Sequence, residues 1–165
     1  DQASIFVEKS LPNVFYAGYL SKLFPSAKFI CSRRQPIANC WSVFQRYFWE
    51  GGHQYGYSLD SLGGYYRVQE QMAGHWRAAL DERWMDIDLE ALINDPSAEG
   101  ERMATFAGVA FDPLSLNAQE RRNPVRTSSA NQVRAGLGAV SQDNWRPYER
   151  FLEPLLQALS NDFTI

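Results

Sequence analysis

Cysteine is scarce in this chain. Cys31 and Cys40 are the only two in 165 residues, too few for a disulfide framework and not spaced as the C-x-x-C pair of a structural zinc site. The two histidines, His53 and His75, are far apart and show no metal-ligand spacing, so no metal is expected. A basic excess is also missing. Sixteen Lys and Arg stand against 19 Asp and Glu, a net charge of -3, which argues against a general nucleic-acid binder. A few placed arginines still suffice for one phosphate. No apolar run approaches the roughly 20 residues of a membrane helix, so no membrane segment is expected. No signal-like segment follows Asp1, and with two unpaired cysteines this points to a cytoplasmic compartment. A chain starting on Asp1 is expected to be processed or to be a piece of something longer.

What is present suits one globular unit. Hydrophobic residues make up 45%, aromatics 14% and charged residues 21%, which excludes a disordered or low-complexity chain and supplies a sizeable core. Ser4–Val7 is short, apolar and partly β-branched, and predicts a strand. Asn13 is placed to cap a helix on which Val14, Ala17, Leu20, Leu23 and Phe24 recur, stopped by Pro25-Ser26. Ala27–Ser32 predicts a second, buried strand, parallel to the first and its neighbour or near neighbour. Pro36 suits the first turn of a helix through Trp41 and Phe44 to about Phe48. Strand, helix, strand and helix in succession predict an α/β fold with a parallel sheet. A long helix from about Ser58 to Leu80 follows, its continuity weakened by Gly63, Gly64 and Gly74. Trp84–Asp88 predicts a third strand and Leu89–Asn94 a helical turn. Ser97 is expected to cap a helix to Ala107 that ends at Gly108. Residues 112–145 are irregular. A last helix is expected from Trp145 to Leu159, with Phe151, Leu155 and Leu159 on one face.

The junction from Phe29 to Arg46 carries the most chemistry. Carboxyl ends of parallel strands are where α/β sheets bind ligands, and Arg34 there offers a planar fork of donors for phosphate or sulfate. Ser42 and Arg46 are one i,i+4 step apart and share a helix face on which both could hold one anion. On chemistry alone the same side chains also read as solvated surface groups. His75, beside Trp76 on a core helix, reads as a hydrogen-bonded structural residue. The cysteines read as buried small hydrophobes, and the aromatics around Tyr55–Tyr66 as core or as the lining of an acceptor cleft.

Phe29-Ile30-Cys31-Ser32-Arg33-Arg34-Gln35-Pro36, with Asn39 and Ser42, resembles the 3′-phosphate-binding segment of sulfotransferases that use PAPS (3′-phosphoadenosine 5′-phosphosulfate). The resemblance runs through Glu8-Lys9-Ser10-Leu11-Pro12-Asn13, Leu89-Glu90-Ala91-Leu92, Thr127-Ser128-Ser129, Gln132-Val133-Arg134 and Trp145-Arg146-Pro147-Tyr148. Within the family the chain is most similar to the protein-tyrosine-sulfotransferase-like branch that follows tetratricopeptide repeats. The resemblance implies a P-loop-NTPase-like parallel sheet flanked by helices, with PAPS as cofactor and a hydroxyl of a peptide, carbohydrate or small molecule as acceptor. It implies that Arg34, Ser42 and Arg46 bind the 3′-phosphate, that Gln132 and Arg134 contact cofactor or a neighbouring loop, and that Lys9 and Ser129 are catalytic. Lys9 would stabilise the bridging oxygen, and Ser129 would donate near the sulfuryl group.

The chain departs from that pattern in three places. No glycine-rich loop of the kind that binds the 5′-phosphosulfate occurs, neither G-x-x-x-x-G-K-[ST] nor R-x-G-[ST]-[ST]. Residues 1–165 are therefore expected to be a single partial sulfotransferase domain, truncated at the N-terminus and inactive alone, with an upstream tetratricopeptide-repeat region as a partner. Leu89 replaces a tyrosine usual before the glutamate, and Asn144 a basic residue before Trp145. Two other readings stay open: a phosphate-transferring nucleotide-binding relative, and a non-catalytic nucleotide-binding or interaction module of the same fold.

Overall fold

The computed structural model describes residues 5–48, 52–116 and 143–160. Helix α1 (Asn13–Leu23) leads to strand β1 (Phe29–Arg33), helix α2 (Pro36–Phe44) and the long helix α3 (Leu59–Leu80). Strand β2 (Trp84–Asp88) follows, then α4 (Leu89–Asn94) and α5 (Pro96–Ala107), and α6 (Glu153–Ser160) closes the described chain. Short 3₁₀ turns occupy Gln54–Tyr57, Asp81–Arg83, Pro113–Leu116 and Arg146–Phe151.

β1 and β2 pair in parallel, with Phe29 opposite Trp84 and Arg33 opposite Asp88. A parallel pair needs a crossover, and α2 and α3 supply it. The fold is thus helix-rich α/β with a small parallel sheet, as the strand–helix order implied. One expected strand is absent. Ile5–Val7 carry no strand and pair with nothing among the described residues, and Phe6 is 87% exposed. β-branched and aromatic residues form a strand only where a partner edge and a surface to pack on exist. The parallel neighbour of β1 is β2 instead.

α3 runs unbroken through its three glycines. Propensity is overridden by burial of Leu62, Tyr66, Ala73 and Leu80, and Gly63 has a packing role. A Cβ built on Gly63 would lie 2.6 Å from Cβ of Ala158, so only glycine lets α6 come this close. Leu62, Tyr66, Cys40 and Leu155 form one core cluster there, and Ala38, Trp41, Trp145 and Leu152 a second. At the other side, the Trp76 indole lies against Gly18 of α1 and donates to the Val14 carbonyl at 2.7 Å.

Several local expectations change. Pro12, not Asn13, is the N-cap of α1, and the Asn13 amide instead donates to Glu8. Asp95, not Ser97, caps α5 by accepting from the Ala98 N–H at 3.0 Å, because Pro96 takes the first helical position. Gly108 does end α5, at φ 75°. The expected Trp145–Leu159 helix is a 3₁₀ segment followed by α6, since Pro147 and Pro154 each lack an amide donor. Phe151 consequently turns outward and is exposed, while Leu152, Leu155 and Ala158 face the core.

Candidate functional site

A cavity of about 520 Å³ opens at the carboxyl ends of β1 and β2. Arg33 and Arg34 reach it from the end of β1, Tyr66, Arg67 and Glu70 from α3, and Glu90 from α4. The lining is charged in both signs, and the charges are organised. Arg33 donates to the Glu70 carboxylate in an ion pair. Burial alone would pull the Arg33 pKa down, but the hydrogen bond and charge of Glu70 leave it above the ordinary arginine value. Arg67 donates to the Ala158 carbonyl at 3.4 Å, which ties the cavity wall to α6. The Tyr66 hydroxyl donates to the Arg34 carbonyl at 3.4 Å. Burial first, then the nearby Glu70 charge, pushes the Tyr66 pKa up, so the hydroxyl keeps its proton as a donor.

Arg34 is half-buried and its pKa is lowered. Desolvation is the main cause; Glu90 opposes it and the like charge of Arg46 adds to it. Arg34 and Arg46 therefore lie within one electrostatic neighbourhood, although 12 positions apart in sequence. α2 ends at Phe44 rather than near Phe48, so Arg46 lies beyond the helix and does not share a helix face with Ser42; its Nε–H donates to the Ser42 backbone carbonyl at 3.2 Å. Glu90 accepts from the Gln35 N–H at 3.2 Å, fastening the β1–α2 turn to α4. Neither Ser42 nor Arg46 lines the cavity, but a half-buried arginine within the electrostatic reach of a second guanidinium is suited to an oxyanion.

This geometry decides what the resemblance means, because the sulfotransferase family model matches residues 1–113, which include the whole strand–turn–helix. The chain belongs to the sulfotransferase family. Sulfuryl transfer in general is the enzyme class this membership supports. The sequence is also 26% identical over 159 residues to an uncharacterized protein of Aquifex aeolicus (strain VF5), covering 95% of this chain and 21% of that protein. The chain thus spans about a fifth of the length of the curated relative it matches.

The sulfotransferase chain does not gather all of the expected site residues. Lys9 is exposed on the segment before α1, does not line the cavity, and bonds to no described residue. Ser129, Gln132 and Arg134 lie outside the described residues, as does most of the irregular 112–145 stretch. His75 is exposed and meets the Trp76 ring edge-on at 4.5 Å, with no hydrogen bond to a described residue, so it is not the hydrogen-bonded structural residue expected. His53 Nδ1 lies 3.0 Å from the Tyr55 hydroxyl within an aromatic cluster in which Tyr55 and Tyr65 stack at 3.6 Å. Cys40 is fully buried, which pushes its thiol up to about 12. Cys31 is half-buried, and burial with the Asp86 and Glu70 charges pushes it up to about 11. Among the described residues no helix is long and apolar enough to cross a membrane.

Sequence reasoning missed Arg67, Glu70 and Gln35 as cavity residues, while Tyr66 ends the Tyr55–Tyr66 stretch read as core or cleft lining. Tyr66 and Glu70 are an i,i+4 pair on α3 and so were findable as one face, but nothing in the sequence shows which face meets β1. Glu90 was within a quoted family segment without a role.

Proposed function

We propose that this chain forms the 3′-phosphate half of a PAPS-dependent sulfotransferase site, serving sulfuryl transfer to a hydroxyl acceptor on a peptide, carbohydrate or small molecule. The observation that carries the reading is Arg34 at the carboxyl end of β1, in the same electrostatic neighbourhood as Arg46. Family membership supports it. The donor chemistry fits: two guanidinium groups and the Ser42 hydroxyl match a phosphate dianion, which accepts several directed bonds at once. PAPS supplies the activated sulfuryl group when bound. Arg34, Ser42 and Arg46 bind and orient the nucleotide by its 3′-phosphate, far from the transferring group. Gln132 and Arg134 complete the cofactor contacts. Lys9 and Ser129 place positive charge and a hydroxyl donor where negative charge develops.

Binding at the 3′ end is equal in ground and transition states, so these contacts raise affinity and not the rate of the chemical step. The sequence holds no glycine-rich loop for the other end, so negligible turnover by these 165 residues alone belongs to the same proposal, as does membership of the tyrosine-sulfotransferase-like branch. Calorimetric titration with adenosine 3′,5′-bisphosphate and adenosine 5′-phosphate tests the reading. Arg34→Ala is expected to weaken the bisphosphate by about 1.5–3 kcal/mol, roughly ten- to 150-fold, and to leave the monophosphate nearly unchanged. Equal losses on both nucleotides would remove Arg34 from a 3′-phosphate site.

A further inference from the structure

Strand β1 ends at Arg33 and helix α2 starts at Pro36, so Arg34 and Gln35 belong to neither element. One peptide group joins them: its carbonyl is that of Arg34 and its N–H that of Gln35. Two side chains from separate elements hold that group. The Tyr66 hydroxyl of α3 donates to the carbonyl at 3.4 Å, and the Glu90 carboxylate of α4 accepts from the N–H at 3.2 Å. A trans peptide points its C=O and N–H in opposite directions, so the two contacts grip opposite sides of one rigid plane. The sheet register explains how Glu90 comes to be there. Arg33 stands opposite Asp88, and two residues further along each chain bring Gln35 level with Glu90. On the other side, Tyr66 is buried, and Glu70, one turn further along α3, pairs with Arg33. α3 therefore holds two consecutive residues at the end of β1, one by its guanidinium and the next by its carbonyl.

We propose that Tyr66 and Glu90 are positioning residues that clamp the Arg34–Gln35 peptide and so aim the Arg34 side chain into the cavity. The inference rests on the functional reading above for what Arg34 binds, but not for the clamp itself. The orientation of this plane sets ψ of Arg34 and φ of Gln35, the torsions that turn the chain out of β1 and into α2. With the plane loose, the turn carrying Arg34 would have to be ordered when an anion arrives, and that ordering costs affinity. With the plane held, the guanidinium fork is directed at the ligand in advance. Burial, reinforced by the Glu70 charge, keeps the Tyr66 hydroxyl protonated, so it remains a donor to the carbonyl. Both residues act through Arg34 rather than on the ligand.

Tyr66→Phe removes the hydroxyl and keeps the buried ring. Glu90→Ala removes the acceptor, while Glu90→Gln keeps an oxygen in its place. Each folded variant and the parent protein are titrated with adenosine 3′,5′-bisphosphate and adenosine 5′-phosphate, and hydrogen exchange at the Gln35 amide is followed by NMR. Tyr66→Phe and Glu90→Ala are each expected to weaken the bisphosphate about three- to tenfold, the worth of one hydrogen bond, and to speed exchange at Gln35. The monophosphate is expected to bind these variants as it binds the parent, and Glu90→Gln to stay close to the parent on both measurements. Added to Arg34→Ala, neither Tyr66→Phe nor Glu90→Ala is expected to weaken the bisphosphate further. A full additional loss in that background overturns the proposal, because the residues would then act on the ligand or on the fold at large. Unchanged exchange at Gln35 overturns it too. Where the parent prefers the bisphosphate, equal weakening of both nucleotides does the same. If exchange rises as expected while the parent binds both nucleotides alike, or neither, the clamp stands and the 3′-phosphate reading falls.

Discussion

Residues 5–12 and helix α6 are both rich in apolar side chains, yet they meet opposite fates. In the first, Phe6 is 87% exposed and Val7 81% exposed; in the second, Leu155 is 0% exposed. Hydrophobicity is similar, so the difference lies in what faces each segment. α6 has a seat on α3, where Gly63 removes the one side chain that would hold the helices apart. Residues 5–7 have no strand partner among the described residues and contribute nothing to either core cluster. Apolar content supplies the driving force for burial, but a complementary neighbour decides whether it is used.

The sharpest test of that contrast is Leu155→Ala. Emptying a fully buried leucine at the centre of the α3–α6 contact is expected to cost about 2–5 kcal/mol, measured by urea denaturation. A loss below about 1 kcal/mol would show that the contact relaxes and is not a packed core. Next in size are two adjacent glycines of one helix. Gly63→Val forces branched carbon into the 2.6 Å approach to Ala158 and is expected to destabilise by about 1–3 kcal/mol. Gly64→Ala, which meets nothing within 4 Å, is expected to gain up to about 1 kcal/mol from helix propensity. Equal effects at the two positions would break the argument that close approach, not flexibility, accounts for Gly63. The smallest effect belongs to the first region. Phe6→Ser is expected to change stability by no more than about 0.5 kcal/mol, and a larger loss in thermal melting would reveal a packing partner for residues 5–7.

The same contrast separates what was legible from what was not. β2, the Pro36 start of α2 and the Gly108 stop were readable because each depends on local chemistry: a short apolar run, a fixed proline φ, a left-handed glycine. Ser4–Val7 carried the local marks of a strand too, and Ile5–Val7 did not become one, because a strand also needs an edge to pair with. Phe151 fitted a helical stripe until Pro147 and Pro154 divided the segment and changed its phase. In the site, Ser42 and Arg46 fitted one face at i,i+4 spacing, but α2 ends at Phe44 and leaves Arg46 beyond it, so the spacing did not decide their placement. Glu70 and Glu90 were not readable, since they come from α3 within the crossover and from α4 beyond it.

The sequence by itself determined the α/β order, the family-like strand–turn–helix from Phe29 to Arg46, and the absence of a basic excess or a disulfide framework. All of these follow from residue types at short spacings. Only the tertiary structure decided that Arg33 is paired with Glu70, that Arg34 feels both Arg46 and Glu90, and that Gly63 rather than Gly64 is the glycine α3 needs. Those facts depend on which elements the crossover and the α3–α6 packing bring within a few ångströms. The energies involved, desolvation, Coulomb interaction and steric overlap, are set by distance in space and not by distance along the chain.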